Sequence, residues 1–373
     1  MSTGSLPACT HRECLQQARG SETCPLENDN SWRPRTNLVR GRGQGDPPAI
    51  QRDFAMRRIL ITGSGGFVGQ HLVPRLAADG HALTLAVRSS PSAQKPTQRI
   101  RTVAIGGISG RTDWMPALEG CDVVVHLAAQ TPARGVSENT YFSVNADGTA
   151  RLCEQAAQAG VSRFLMMSSI FAVVDNASDA IVSDQSRARA TSPYGRSKLA
   201  AEMQAQAFAS AGRTVVTLRP PLVYGAAAKG NWRLLQRMSA LGLPLPLARV
   251  RNRRSLISVD NLVDAIATVV GSERPAGTAE TFALADGDAV STADMVRLLR
   301  EGMGLLPRLY PVPPAALSTA LGLMSTSAAR SLLGDLEVDA RRFRETFAWS
   351  SPRTAEDAIR RSGAGFIASR GVR

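Results

Sequence analysis

Tyr194 and Lys198 lie four residues apart in the stretch Ser-Pro-Tyr-Gly-Arg-Ser-Lys-Leu-Ala-Ala-Glu, residues 192–202. Positions i and i+4 share one face of a helix, so a phenol and an ammonium can reach the same cleft. Ser192 is a good N-cap and Pro193 a good first helical residue, which places Tyr194 in the first turn, where the helix dipole favours an anion. A neighbouring ammonium lowers a phenol's pKa further, toward acid/base chemistry near neutrality. The alternative is a pair on the solvated side of a helix, but this spacing is rare by chance with only 4 tyrosines and three lysines in the chain. Upstream, Met166-Met167-Ser168-Ser169 ends an apolar run. A hydroxyl there can orient a carbonyl or alcohol opposite the phenol.

A second group of residues points to a phosphate-bearing ligand. Thr62-Gly63-Ser64-Gly65-Gly66-Phe67-Val68-Gly69 follows an apolar run and opens a helical pattern, with Gly63, Gly66 and Gly69 in GxxGxxG spacing. Glycine there permits the tight turn, the approach of backbone to pyrophosphate and the close packing of helix on strand. The start of the helix, at Phe67 and Val68, then offers N–H groups to the anion. The next strand, Leu83–Val87, ends at Arg88. A site for NAD places Asp or Glu at that point to accept from the ribose hydroxyls, whereas an arginine can pair with a 2′-phosphate. NADP is therefore the preferred cofactor on Arg88, with NAD as the alternative.

The elements that must position these groups follow from hydrophobic periodicity. Ile59–Thr62, Ala82–Val87, Asp122–Leu127, Phe164–Ser168 and Val215–Arg219 read as buried strands. Gly66–Ala78, Val144–Ala159 and the Tyr194 segment read as helices. Continuous apolar strands alternating with helices predict an α/β fold, a doubly wound parallel sheet of Rossmann type covered on both faces. After Gly225 helical patterns dominate, and Ser291-Thr-Ala-Asp294 has the form of a capping box before Met295–Met303. Residues 56–225 are expected to form the dinucleotide-binding domain, and 226–373 mainly a smaller C-terminal substrate-binding lobe, part of which returns to the first domain. Residues 1–55 lack an apolar period and are expected to be disordered, or to be an extension of the reading frame upstream of a natural start at Met56.

Composition removes other classes. The 373 residues are 43% apolar and 20% charged, as in a globular protein. No apolar run is long enough to span a membrane, and the first residues carry no apolar core of a secretory signal, so a cytoplasmic location is expected. The net charge of +13 is carried by arginine, because Lys95, Lys198 and Lys229 are the only lysines. Without a basic stripe interleaved with aromatics it reads as solvated surface charge, and no nucleic-acid partner is expected. The densest run, from Arg249 to Arg254, better suits a ligand carrying phosphates. Cys9, Cys14, Cys24, Cys121 and Cys153 have no metal-type spacing. They are read as reduced thiols, and no metal is expected.

Taken in order, TGSGGFVG, CDVVVHLAA, MMSSI, YGRSK, LRPPLVYG and RRSLISVDNLVDA resemble the extended short-chain dehydrogenase/reductases, and more narrowly their nucleotide-sugar epimerase/dehydratase branch. The resemblance begins at Met56. It implies an enzyme with NAD or NADP held between a Rossmann domain and a small substrate lobe. Tyr194 would be the general acid/base, Lys198 would hold the nicotinamide ribose and tune the phenol, and Ser169 would orient the reacting oxygen. Leu127, Ala128, Ala129 and Pro220 would line the cofactor, together with Gly63, Gly66, Phe67, Val68, Gly69 and Arg88. Thr131, Ser169, Asn231 and Arg254 would meet a UDP-sugar substrate, with Arg254 gripping the diphosphate. The resemblance also implies a homodimer through the Tyr194 helix and the helix around Val144–Ala159, whose small residues permit close packing.

Departures from the branch narrow the reaction. Its sugar 4,6-dehydratases carry Asp-Glu after the catalytic hydroxyl, and enzymes that epimerise C3 and C5 carry Cys; here Ile170 and Phe171 stand there. Hydride chemistry at C4 remains. Reduction of a UDP-4-keto sugar, for surface-polysaccharide precursors, is the preferred expectation, since a reductase exchanges cofactor each turnover and draws on NADPH. A UDP-glucose or UDP-N-acetylhexosamine 4-epimerase, whose cofactor stays bound, is the alternative. A non-catalytic dinucleotide-binding sensor is disfavoured by the retained Tyr–Lys pair, and a steroid-like ketone by Arg254, which would find no partner on it.

Overall fold

The computed structural model describes residues 55–89, 99–210 and 212–371. The extension expected at residues 1–55 lies, Ala55 apart, outside the described residues. The strands are β1 (Arg58–Thr62), β2 (Ala82–Val87), β3 (Ile100–Ala104), β4 (Val123–His126), β5 (Arg163–Met167), β6 (Thr214–Arg219), β7 (Leu222–Tyr224), β8 (Leu256–Ser258) and β9 (Ala279–Ala283). One sheet runs in the order β3-β2-β1-β4-β5-β6-β9, with every pairing parallel. β7 and β8 pair separately, also in parallel.

The two faces of the sheet follow from period two in the strands. Ile59 and Ile61 of β1 pack on Leu72 and Leu76 of the helix Phe67–Ala78 and on Leu262 and Ile266 of the helix Val259–Gly271. Leu60, between them, faces Leu152 and Ala156 of the helix Gly148–Gln158 and Ala201 and Ala205 of the helix Pro193–Gln206. The chain is thus wound to both sides, as the alternating pattern predicts. Strand order reverses between β1 and β4, and in such sheets the ligand crevice opens at the carboxyl ends of the strands beside that switch.

β7, β8 and β9 are strands beyond the five expected, and two further elements depart from the expected pattern. β3 was not foreseen: its sequence Ile-Arg-Thr-Val-Ala is half-buried at the sheet edge, so it lacks the apolar run of a central strand. The helix expected over Val144–Ala159 is instead a π-helical turn, Ser143–Asp147, followed by the α-helix from Gly148. A π-turn inserts an extra residue into the spiral and is frequent at functional sites.

Beyond β6, Tyr224, Trp232, Leu235, Val296, Leu299 and Ile359 form a further apolar cluster. Ser291 caps the helix Thr292–Gly302 as its capping box predicts, accepting from Asp294 N at 3.1 Å and donating to the Asp294 carboxylate at 2.7 Å. Phe67, the first residue of the helix after β1, packs against both this cluster and the sheet core.

Candidate active site

The turn after β1 is shaped by what its glycines leave out. Gly63 has φ +73°, and a Cβ on it would lie 2.8 Å from Ala128 N. A Cβ on Gly69 would lie 2.4 Å from Gly63 O and 2.6 Å from Ser64 O. Gly65 faces open space, and Gly66 caps the helix without any side-chain acceptor. The first N–H groups of that helix therefore have no intrahelical partner and no capping side chain from Gly66. This cradle fits the pyrophosphate of a dinucleotide. Gly69→Ala should force the turn apart; overpacking of this kind costs about 1–3 kcal/mol. The expected outcome, read by calorimetric titration, is an NAD affinity lowered roughly ten- to hundred-fold.

Loops from neighbouring strands converge on the same edge. After β4, Leu127 N donates to Thr62 O at 3.2 Å and Ala128 N to Thr62 Oγ1 at 3.1 Å. Gln130 N donates to Asn145 Oδ1 at 2.7 Å, and Asn145 Nδ2 donates to Ser197 Oγ at 2.9 Å. Ser197 Oγ in turn donates to Tyr194 O at 2.8 Å. Asn145 sits in the π-turn and is buried. This chain of bonds ties the loop beside the glycine turn to the first turn of the Tyr194 helix.

That helix begins as the sequence predicts, with Ser192 Oγ accepting from Gly195 N at 3.2 Å and Pro193 in first position. Tyr194 is half-buried, edge-on to Tyr141 and Phe171 at ring separations of 6.2 and 6.4 Å. Its hydroxyl has the Ser169 side chain as a hydrogen-bond partner. Ser169 follows β5 and starts a short turn, accepting from Phe171 N at 3.2 Å. Lys198 is 2% exposed, and its Nζ donates to Met167 O at 2.6 Å. Ser169, Tyr194 and Lys198 thus gather at the carboxyl end of β5.

The electrostatics correct one expectation. Burial pushes the Tyr194 phenol up to about 12, and the hydrogen bond from Ser169 only partly offsets this. The helix dipole and the ammonium do not win, because Lys198 is itself buried, brought down to about 8, and directed at a main-chain carbonyl. In the free enzyme the phenol is protonated at neutral pH.

Below Lys198 lies a pairing that local periodicity does not reveal. Glu202, one turn further on the same helix, accepts from Arg219 of β6 through Nε at 2.9 Å and Nη2 at 2.6 Å, and from Ser168 Oγ. The two charged side chains are 1% and 9% exposed. Glu202 is the group that holds the Lys198 pKa up against burial. His126, at the end of β4, bridges Thr62 and Thr149 and is kept neutral, its pKa brought down to about 3 by burial.

The remaining sequence candidates lie outside this bonded cluster. Arg88 is exposed just past β2, and Thr131 is exposed in the loop after β4. Pro220 is buried after β6, its carbonyl accepting from Ile170 N at 2.9 Å. Asn231 is exposed on the first turn of the helix Gly230–Ala240, beside a hollow lined by Ala227, Lys229, Gly230, Arg233, Leu234 and Arg237. The Arg254 guanidinium donates to Gly334 O at 2.8 Å and Asn176 O at 3.3 Å, so main-chain carbonyls already hold it. Asn145, Ser197 and Glu202 escaped the sequence reading, although the last two lie inside the very stretch that carries Tyr194.

Known proteins share this arrangement. The profile of the NAD dependent epimerase/dehydratase family matches residues 59–285. A UDP-glucose 4-epimerase of Vibrio cholerae is 33% identical over 323 residues, covering 83% of this chain and 96% of its own. A ceramide reductase of Caulobacter vibrioides is 30% identical over 271 residues, covering 71% of this chain and 77% of its own. The solved structure of MoeE5 in complex with UDP-glucose and NAD superposes with a TM-score of 0.66 at 26% identity, over 84% of this chain and 99% of that one. Glycine turn, sheet order and Tyr–Lys pair therefore have one explanation: the chain is an enzyme of the extended short-chain dehydrogenase/reductases and belongs to the NAD-dependent epimerase/dehydratase family.

Proposed function

We propose that the enzyme moves hydride at C4 of a UDP-hexose, as a 4-epimerase of UDP-glucose or a UDP-N-acetylhexosamine. The observation that carries this reading is the set of side chains around the phenol. Tyr194 meets the Ser169 hydroxyl, while Ile170 is buried and Phe171 packs edge-on against the phenol ring. A single proton-transferring group beside one orienting hydroxyl suits oxidation and reduction at one carbon. Elimination of water, or inversion at a second centre, needs another acid or base there. The near full-length match to the Vibrio cholerae relative supports the choice of epimerase.

In this proposal NAD, held along the Gly63–Gly69 turn and beside Leu127, Ala128, Ala129 and Pro220, supplies reversible hydride acceptance. Tyr194 Oη, its own proton released to solvent as cofactor and substrate fill the site, would take the O4 proton as the C4–H bond breaks, and would return it when hydrogen comes back to the opposite face of the 4-keto sugar. Ser169 Oγ fixes the direction of O4 toward the phenol. Lys198 supplies positive charge beneath Tyr194, favouring the phenolate that accepts the O4 proton. Thr131, Asn231 and Arg254 are the proposed contacts to the substrate. A dimer through the helices Gly148–Gln158 and Pro193–Gln206 is part of the proposal, supported by Ala150, Ala157 and Ala200, which one chain leaves only half-buried.

Arg88 favours a second reading, the NADPH-dependent reduction of a UDP-4-keto sugar. Its side chain is exposed at the end of β2, where a 2′-phosphate would lie. One experiment separates the two: purified protein with no added cofactor is given UDP-glucose. An epimerase forms UDP-galactose and releases NAD on denaturation. A reductase leaves UDP-glucose untouched and oxidises NADPH with a UDP-4-keto sugar, and Arg88→Ala then raises the KM for NADPH roughly tenfold or more. Inactivity with UDP-glucose, with a UDP-N-acetylhexosamine and with the UDP-4-keto sugar would overturn both readings.

A further inference from the structure

The surface formed by two segments, residues 226–251 and 302–334, does not look like the rest of the molecule. The helix Pro314–Met324 reads Pro-Ala-Ala-Leu-Ser-Thr-Ala-Leu-Gly-Leu-Met, without a charged side chain. Its only polar side chains are Ser318 and Thr319, too few for the polar face of a solvated surface helix. The helix is largely exposed: Leu317 packs on the lobe cluster, while Leu323 is 86% exposed. Around it Leu241, Leu243 and Leu306 are 68, 60 and 68% exposed, and Tyr310 is 45% exposed.

The exposed side chains stand on a built support. Leu245 N donates to Arg308 O at 3.1 Å and Tyr310 N to Leu245 O at 3.0 Å, which sets the two segments side by side. Beneath them the Arg300 guanidinium is fully buried. It donates to Leu243 O at 2.6 Å, Pro307 O at 2.6 Å, Arg308 O at 3.1 Å and Ser239 O at 3.2 Å. One cation thus satisfies four main-chain carbonyls and holds both loops with their leucines outward.

Charge says what covers this face. The two segments contain Lys229, Arg233, Arg237, Arg249, Arg251, Arg308 and Arg330 and not one of the 31 acidic residues of the chain. Except for the half-buried Arg233, all of these are exposed. A second copy docking here about a two-fold axis would bring the same basic face against itself. Nucleic acid would find aliphatic side chains where stacking aromatics are needed. Spanning a membrane is also excluded: the 11 residues of the helix extend about 16 Å. That is roughly half a hydrocarbon core, and no helix among the described residues is long and apolar enough to cross one. Exposed leucines on segments that carry arginines and no acid are the pattern of a face that lies in the headgroup region of an anionic bilayer.

We propose that the helix Pro314–Met324 and the loops at Leu241–Leu243 and Leu306–Tyr310 dock this enzyme on a membrane surface rich in anionic lipid. The face adjoins the proposed site. Asn176, which follows the turn after Ser169, donates to Ser327 Oγ at 2.9 Å and accepts from Arg254. Docking therefore places the rim of the cleft beside the bilayer. The inference stands whichever sugar the enzyme converts.

Flotation of the full chain with phosphatidylcholine vesicles containing roughly one third phosphatidylglycerol tests it. Wild type should float with these vesicles and not with pure phosphatidylcholine. Each arginine at such a surface is worth roughly fivefold in binding, so Arg308→Glu/Arg330→Glu should weaken it by more than twentyfold. Leu323→Asp/Leu306→Asp should weaken it at least tenfold while leaving turnover of a soluble substrate and Tm unchanged. Failure of wild type to float, equal binding to neutral vesicles, or no effect of the leucine pair overturns the proposal. So does a dimer-to-monomer change in the leucine variant, by sedimentation, without vesicle binding in wild type, or retention of RNA in place of vesicles.

Discussion

Tyr194→Phe lowers kcat roughly 10²- to 10⁴-fold, the contribution of a positioned general acid/base. The loss falls on kcat and kcat/KM alike, because the phenolic hydrogen bond to the reacting oxygen strengthens only as the proton moves. The ring itself is kept. Its edge contacts to Tyr141 and Phe171 survive, so Tm and NAD affinity should stay close to wild type. Steady-state kinetics, thermal unfolding and NAD titration on one preparation check all three. Unchanged turnover would mean that the proton travels by another route.

The second large effect concerns stability. Glu202→Leu leaves the Arg219 guanidinium, only 9% exposed, without its carboxylate. Breaking one side of a buried pair costs about 3–5 kcal/mol. Replacing both partners, Glu202→Leu/Arg219→Met, should recover most of that cost, because no lone charge is left inside. Denaturant unfolding of the two variants decides it; a double variant no more stable than the single would show that the pair does more than cancel itself.

The same double variant carries a functional signature. Lys198, already brought down to about 8, loses the carboxylate that holds it up. The alkaline fall in kcat/KM, centred near the pH where Lys198 gives up its proton, should therefore move to lower pH. The stability linkage runs the other way. The folded pKa of Lys198 lies below its usual value of 10.5, so its burial destabilises the fold at neutrality, and stability is regained as pH rises from about 8 toward 10.5.

What the sequence made legible was what is encoded locally. Ala82–Val87 is a strand with the expected bounds, and the glycine turn opens the expected helix, because continuous apolar runs and small turn residues carry their own geometry. Ser192 and Ser291 cap the helices they were expected to cap. Groups joined across long separations were not legible. Glu202 meets Arg219, and Asn145 joins Gln130 to Ser197, only after the sheet has formed. The level of the Tyr194 pKa was also missed, since it depends on how deeply neighbouring rings bury the phenol and on where the Lys198 amine points. Arg254, expected to grip the diphosphate of the substrate, also donates to carbonyls of Asn176 and Gly334 that no local pattern brings near it.

Transfer of the label from UDP-glucose deuterated at C4 tests the central claim most directly. With purified enzyme, the account predicts UDP-galactose that keeps deuterium at C4, formed more slowly than from unlabelled sugar. Loss of the deuterium to water, or product formed with no isotope effect and undiminished by Tyr194→Phe, would contradict hydride passage beside this phenol.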